Sequence, residues 1–550
     1  MIKKTRLTAL MLIALSLKTF AIQLSENEKN LTKRDVKAKN GIVVSANPIA
    51  SKVGLEILKK GGNAVDAAVG VAFTLGLVEP FASGPGGGGY MLLKEKDNLA
   101  FYDYGNIAPS KMTIKDWEKI NNDKERLVTG EGSLVPGAVA GWLTALEEHG
   151  SMKIGDILEP VIKLAENGFE VTPTFANVIQ DSYGMIEKSE TAQKVFFNDG
   201  FPYMEGELYK NLDYANTLKA IAKSGKDGFY KGKVADAIVK ANPWISKKDL
   251  ESYKPLKMTP ISGEYRDYTV VTAGPSSAGV AILETLNIVE NYDLKKMGLT
   301  NPYLYHVWAE AMNISNADRS KYIADSRYVE NNVKVLSSQE FANERNKMIK
   351  KDKALNKVKA GPLEYESPST THVSIIDKNG NAVSMTNTIG NFFGCGEMPE
   401  NSGFMLNSSM NLFSREKTYP INKFEPGKRP RSTMSPTMVL NKDGSIRLVV
   451  GTPGASRILS TTPWVISNVL DHGMDIQTAI NYPRIEKNGG TLSIEGGVSE
   501  KIISDLKDKG HTVVNKEKND LFFGGVHAIS LKEGMHGGAD PRRDGKALGY

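Results

Sequence analysis

The chain has 550 residues, 40% of them hydrophobic and 24% charged, with a formal charge of +6. That composition suits a globular protein with a large core and excludes a disordered or fibrous chain. Four positive charges (Lys3, Lys4, Arg6, Lys18) fall in the first 21 residues, leaving about +2 elsewhere, too little for the clustered basic face of a nucleic-acid binder.

Residues 1–21 read as a cleavable signal peptide. Basic residues lead into an apolar run, Leu7 to Leu17, too short to span a bilayer, and Thr19-Phe20-Ala21 closes it with a cleavage signal. No second long apolar run follows, so the expected protein is periplasmic or secreted, with no membrane span. Residues 49–78 predict helix, turn and helix, with Gly61-Gly62-Asn63 as cap and restart. The run Ser83-Gly84-Pro85-Gly86-Gly87-Gly88-Gly89 precedes two strands (91–96 and 99–105). A phosphate loop precedes a helix, so this run reads instead as close backbone packing or a glycine wall beside a substrate. Helical patterns dominate 137–240, a strand is expected over 265–273, and an amphipathic helix after Gly279. Residues 343–368, Lys-rich and then Gly- and Pro-punctuated, read as an exposed flexible tail. Strand patterns at 436–440, 446–451, 491–494 and 526–531 then alternate with helical ones at 457–470 and 501–509. With no visible linker or repeat, one layered α/β unit is expected.

The single cysteine, Cys395, excludes an intrachain disulfide and reads as a small buried residue in the Phe392–Gly396 turn. Seven scattered histidines show no metal-ligand spacing, so neither a metal nor another cofactor is expected.

Where the tail ends, Ser369-Thr370-Thr371-His372-Val373-Ser374 opens a β-hairpin. Threonine alternating with apolar residues is what any half-buried strand shows. The strands 371–377 and 381–388 flank Lys378-Asn379-Gly380, a tight-turn signal. A three-residue loop places Thr370 opposite Thr388; a two-residue Asn379-Gly380 loop places Thr388 beside Thr371. Either way two hydroxyls meet at the open end. A flexible segment ending at Ser369-Thr370 suits autoproteolysis, in which the freed α-amine of Thr370 serves as base for its own hydroxyl. A solvated linker entering a sheet is the plainer alternative.

Thr370-Thr371-His372, with Thr386-Asn387-Thr388 following, resembles the γ-glutamyltranspeptidase family of N-terminal nucleophile hydrolases. The resemblance extends through Gly61–Ala68, Gly86–Gly89, Val135–Trp142, Pro275–Gly279, Gly427–Thr437, Gly451–Arg457 and Ala539–Arg543. It implies a four-layer αββα sandwich shared by a large subunit (22–369) and a small one (370–550), which stay associated after cleavage between Ser369 and Thr370. Thr370 would be the nucleophile, Thr388 its orienting partner, Gly454 and Ala455 the oxyanion hole, and Ser432 and Thr433 the pair holding the substrate's α-carboxylate. The implied activity is hydrolysis or transfer of γ-glutamyl groups, with glutathione and related peptides as default substrates.

Three family positions differ. Gly105 stands where an arginine reads the glutamyl head, Leu412 where an aspartate holds the α-amine, and Gly390 where an asparagine is usual. The loop between Phe413 and Pro426 is short, so an open cleft is expected. Asn391–Gly394, Phe522–Val526 and Arg542–Gly545 look closer to the poly-γ-glutamate capsule depolymerase branch, where Arg457 and Arg542 would face substrate carboxylates. A polymeric substrate is therefore the alternative. An acylase acting on another amide and a non-catalytic binding protein follow it.

Overall fold

The computed structural model describes residues 24–355, 358, 369–415 and 420–550. The leader, most of the segment before Ser369 and the middle of the loop before Pro426 lie outside the described residues. No helix among the described residues is long and apolar enough to cross a membrane.

Strand content concentrates in two seven-stranded antiparallel sheets. In chain order their strands are β1 (Val36–Ala38), β2 (Ile42–Ser45), β3 (Gly88–Glu95), β4 (Asn98–Asp103), β5 (Leu256–Met258), β6 (Ile261–Tyr265), β7 (Tyr268–Thr272), β8 (Thr371–Ile376), β9 (Ala382–Thr388), β10 (Thr437–Leu440), β11 (Ile446–Gly451), β12 (His527–Leu531), β13 (Met535–Ala539) and β14 (Lys546–Gly549). One sheet runs β14-β2-β8-β9-β3-β4-β5 and the other β1-β13-β12-β11-β10-β7-β6. Each therefore mixes strands from both sides of residue 370.

Helices α1 (Pro48–Lys59), α2 (Ala64–Val78) and α3 (Ala138–His149) cover the first sheet. Asn63 starts α2 in a capping box with Asp66, as the Gly-Gly-Asn signal predicts. Every residue of α2 is buried, so it is hydrophobic all round. Helices α4 (Gly279–Glu290), α5 (Pro302–Tyr322) and α6 (Arg457–Leu470) cover the second sheet. Between the sheets lies a third core of residues such as Tyr90, Leu92, Phe101, Val271, Met438 and Ile529. The order is helices, sheet, sheet, helices: the four-layer αββα sandwich.

Three expectations need correction. The strand expected over 265–273 forms at Tyr268–Thr272 but starts later: Tyr265 ends the preceding strand and Arg266 turns the chain at φ +56°, its side chain holding Asp471 at 2.9 Å. Helix α4 is buried over Gly279–Val289 rather than amphipathic, because it lies under α5 and α6. Residues 343–355 are mostly exposed, as expected, but are tied to the fold rather than forming a free tail. A helix (Gln339–Asn346) leads into a segment docked on α5, where Arg345 pairs with Asp318 at 2.7 Å and the Leu355 N–H donates to Glu310 at 3.2 Å.

The alternation along β8 and β9 separates two buried layers, not core from solvent. Val373, Ile375, Val383 and Met385 face the helices. The intervening Ser374 and Ser384 bond to carbonyls of the other sheet, Ser374 to His527 at 2.9 Å and Ser384 to Val450 at 3.4 Å. Beside them His372 is held well below its ordinary pKa by burial and by His527, and burial lowers His527 to about 3. Asp540, Arg543 and Arg34 are the other charged groups acting on His527.

An unfolded histidine takes a proton below about pH 6.5 and the buried one resists it, so stability is present above that pH and is lost as pH falls towards 3. At pH 5 the loss from His527 is on the order of 2 kcal/mol. Urea unfolding at pH 7.5 and pH 5.0 should show this loss, and His527→Asn should flatten it. Equal stability of the wild type at both pH values would contradict the linkage.

Candidate active site

The hairpin register follows from its loop. Asp377 Oδ1 accepts the N–H groups of Asn379 (2.8 Å) and Asn381 (3.1 Å), and Gly380 supplies φ +81°. The loop is therefore the three residues Lys378-Asn379-Gly380. Thr371 pairs with Asn387, so one step further places Thr370 opposite Thr388. There the Thr370 hydroxyl donates to Thr388 Oγ1 at 3.0 Å. Thr388 Oγ1 also accepts the Gly390 N–H at 2.9 Å, which fixes its lone pairs towards Thr370. Thr370 itself has φ +150°, an outlier for a β-branched residue. Ser369 is buried just before it.

Strand β11 ends against β8 because Gly451 has no side chain: a Cβ there would lie 2.3 Å from the His372 ring. The next turn carries Gly454 at φ +123° and Ala455 at φ +54° and opens helix α6. Among the described residues neither N–H of this pair has a protein acceptor. Two adjacent N–H groups at a helix start suit a developing negative charge. Thr452 Oγ1 accepts the Gly525 N–H at 3.0 Å, holding the Gly524–Gly525 segment against the pair.

Ser432 and Thr433 are half-buried on a segment that docks through the Ser432 N–H onto the Ser276 carbonyl at 3.1 Å. The Ser432 hydroxyl accepts the Met434 N–H at 3.2 Å. The glycine run resolves as close packing: a Cβ at Gly86 would meet the Met405 carbonyl at 2.1 Å, and one at Gly87 the Thr388 carbonyl at 2.2 Å. Cys395 is buried, and burial pushes its thiol up to about 12, which leaves it inert.

The two arginines are held differently. Arg457 Nε donates to the Phe522 carbonyl at 3.0 Å and its guanidinium lies over the Phe522 ring at 4.5 Å. Arg542 is a correction. All five of its N–H groups are engaged by Glu495, Asp540 and the carbonyls of Ile480 and Tyr482, so no donor remains for a substrate carboxylate. Nor is it a solvated tail; its side chain is about as buried as the partners that hold it.

The departures have local causes. A Cβ at Gly105 would point at Asp103 Oδ1, 3.1 Å away, with Arg429 and Tyr90 behind it. Asp103 and Arg429 form a buried ion pair there at 3.1 Å. Gly390 has φ +93°, and a Cβ would lie 2.3 Å from Ser408 Oγ. Leu412 closes a 3-10 turn and presents an apolar side chain. Sequence reasoning missed the buried pair beneath Thr371, in which Arg543 donates to Glu79 at 3.0 Å. Burial raises the Glu79 carboxyl, and Arg543 opposes that rise. Its partners lie 464 residues apart, so no spacing could signal it.

Residues 50–550 match the family model described as Gamma-glutamyltranspeptidase. The glutathione hydrolase proenzyme of Escherichia coli (strain K12) is 37% identical over 543 residues, covering 94% of this chain and 93% of that protein. The capsule biosynthesis protein CapD proenzyme of Bacillus anthracis is 36% identical over 515 residues, covering 92% and 89%. Among solved structures, a cephalosporin acylase from Bacillus halodurans superposes with a TM-score of 0.87 at 28% identity, covering 97% of this chain and 98% of that one.

Restoring the family's usual asparagine at position 390 should fail. Gly390→Asn combines a positive φ with the clash against Ser408 and should cost roughly 2–3 kcal/mol in denaturant unfolding. An undiminished midpoint would show that the segment relaxes freely.

Proposed function

This chain belongs to the γ-glutamyltranspeptidase family, and from that premise we propose that it is an exported, self-processing threonine hydrolase and transferase of γ-glutamyl amides. The carrying observation is the hydrogen bond between Thr370 and Thr388 at the end of the hairpin. Proenzyme is also the word attached to the E. coli and B. anthracis relatives. In this reading residues 1–21 are a leader, 22–369 the large subunit and 370–550 the small one.

Processing comes first. Thr370 Oγ attacks the Ser369 carbonyl carbon, the C–N bond breaks, and the acyl group moves to oxygen as an ester. Water hydrolyses that ester, releasing the Ser369 carboxylate and a free Thr370 α-amine. The outlying φ of Thr370 supports this step, because conformations of that kind cost about 1–3 kcal/mol and cutting the bond abolishes the dihedral.

Turnover then uses the same hydroxyl. The α-amine, with an ordinary pKa near ~7.7–8.0, takes the Thr370 proton as Oγ attacks the γ-amide carbonyl. The N–H groups of Gly454 and Ala455 receive the oxyanion, each such donor contributing about 2.7–4 kcal/mol. The ammonium returns its proton to the leaving amine, and water or another amine releases the acyl group from Thr370. Ser432 and Thr433 hold the substrate's α-carboxylate. Arg457 acts indirectly, fixing the Phe522 loop beside the N–H pair.

Glutathione and γ-glutamyl peptides are the first substrate class. Poly-γ-glutamate is the second, favoured by Gly105 and Leu412, which remove two contacts to an isolated glutamyl head, and by the capsule-type relative. Incubation with each substrate, following free glutamate against polymer length, separates them. Consumption of a glutaryl amide alone would sink both.

Denaturing electrophoresis of the purified protein should give two bands, the smaller beginning at Thr370. Thr370→Ala should remain one inactive chain, and a Thr370→Ala protein that still splits there would refute the mechanism. Thr388→Ala should lower kcat/KM by ~10–100-fold, since a misplaced nucleophile costs on that scale, whereas Thr388→Ser should stay near wild type.

A further inference from the structure

Helix α5 carries a second cluster that the hydrolytic reading does not use. His306 and Glu310 are four residues apart on one face of the helix, and the turn after Gly510 brings His511 to them. All three are buried, with exposures of 0%, 0% and 4%. Their donor atoms lie within 4.8 Å of one another. His306 Nδ1 is 2.8 Å from His511 Nε2, which in turn is 3.6 Å from Glu310 Oε1.

The surroundings fix which atoms point inward. His306 Nε2 donates to the Lys350 carbonyl at 2.7 Å, so Nδ1 keeps its lone pair and faces the cluster. An imidazole oriented by a backbone carbonyl on its far nitrogen is the usual outer arrangement of a metal-bound histidine. Glu310 Oε1 accepts the Leu355 N–H, while Oε2 is buried with no hydrogen-bond partner. A buried carboxylate oxygen without a partner, beside two imidazoles, requires either a proton or a cation.

We propose that His306 Nδ1, His511 Nε2 and the Glu310 carboxylate form a binding site for a divalent transition-metal ion of the zinc class. Two imidazole nitrogens and one carboxylate are a donor set that zinc takes at about 2.0–2.2 Å. The ion replaces the proton now shared by the two rings, which must part by about half an ångström to reach tetrahedral spacing. His511 Nδ1, on the far side of its ring, lies 3.5 Å from Lys487 Nζ.

The site joins three parts of the chain: α5, the Lys350–Leu355 segment on its surface, and the turn holding His511. If cleavage occurs before Thr370, His306 and Glu310 belong to one subunit and His511 to the other, so the ion would rivet them. Binding itself does not rest on cleavage, and the uncut Thr370→Ala protein should bind equally.

Untagged protein, purified, stripped with chelator and dialysed against Zn2+, should retain about one equivalent by mass spectrometry of the metal. Its melting temperature should rise with free Zn2+, and Co2+ should give the visible absorption of a tetrahedral nitrogen-oxygen site. Glu310→Gln and His511→Asn should each weaken binding by at least the ~10–100-fold that loss of an outer partner costs. Circular dichroism checks their folding, and His306→Gln serves where either misfolds. Wild-type protein that retains no zinc above a protein-free control would overturn the proposal. So would folded variants that bind as the wild type does.

Discussion

A slip of one residue between β8 and β9 would turn Thr370 from the space between the sheets towards the helices, and every other side chain of the hairpin with it. The register is held by a short loop in which one carboxylate, Asp377, gathers the N–H groups of Asn379 and Asn381. Neighbouring strands lock it from both sides, β2 against β8 and β3 against β9. The Thr370–Thr388 contact is the last rung of that ladder. Its geometry is set by backbone pairing along the whole hairpin, which is why a bond between two small hydroxyls can be placed reliably.

The space the hydroxyls face is unusual for a sandwich core. Where β8 and β9 meet β11 and β12, the inner layer is built of serine, threonine and histidine rather than aliphatic side chains. Packing there depends on close approach: Gly451 exists so that His372 fits, and Gly86 and Gly87 so that neighbouring carbonyls fit. Polar side chains buried this way need partners, and Thr386 and His527 supply them for His372 and Ser374. The His527 ring nitrogens themselves are buried without a hydrogen-bond partner, so the polar layer beside the site is only partly satisfied.

Much of this was legible from residue order. The tight turn at Lys378–Gly380, its length left open between two and three residues, and the Gly-Gly-Asn restart before α2 are local signals, and local signals survive folding; the β8 alternation was legible too, but not that both its faces are buried. The unread features share one property, that their partners are distant. Arg542 looks like a tail residue until Glu495 and Asp540 close around it. The turn at Arg266 carries no glycine, because contacts with Asp471 and the Glu290 and Tyr292 carbonyls hold the left-handed backbone instead. His511 stands 205 residues from His306, so their meeting is a fact of topology alone.

Both sheets interleave strands from before and after residue 370: β2 and β3 flank the β8–β9 pair, and β7 borders β10. A single backbone scission at that point would change the molecularity of folding while leaving the strand pairing of both sheets to be made. An intact precursor regains its structure in a first-order process at any dilution. Two severed pieces, once unravelled by heat or urea, must find each other again, so recovery becomes second-order and fades as the sample is diluted. Maturation of such a chain would be a one-way ratchet, trading refoldability for a freed amine.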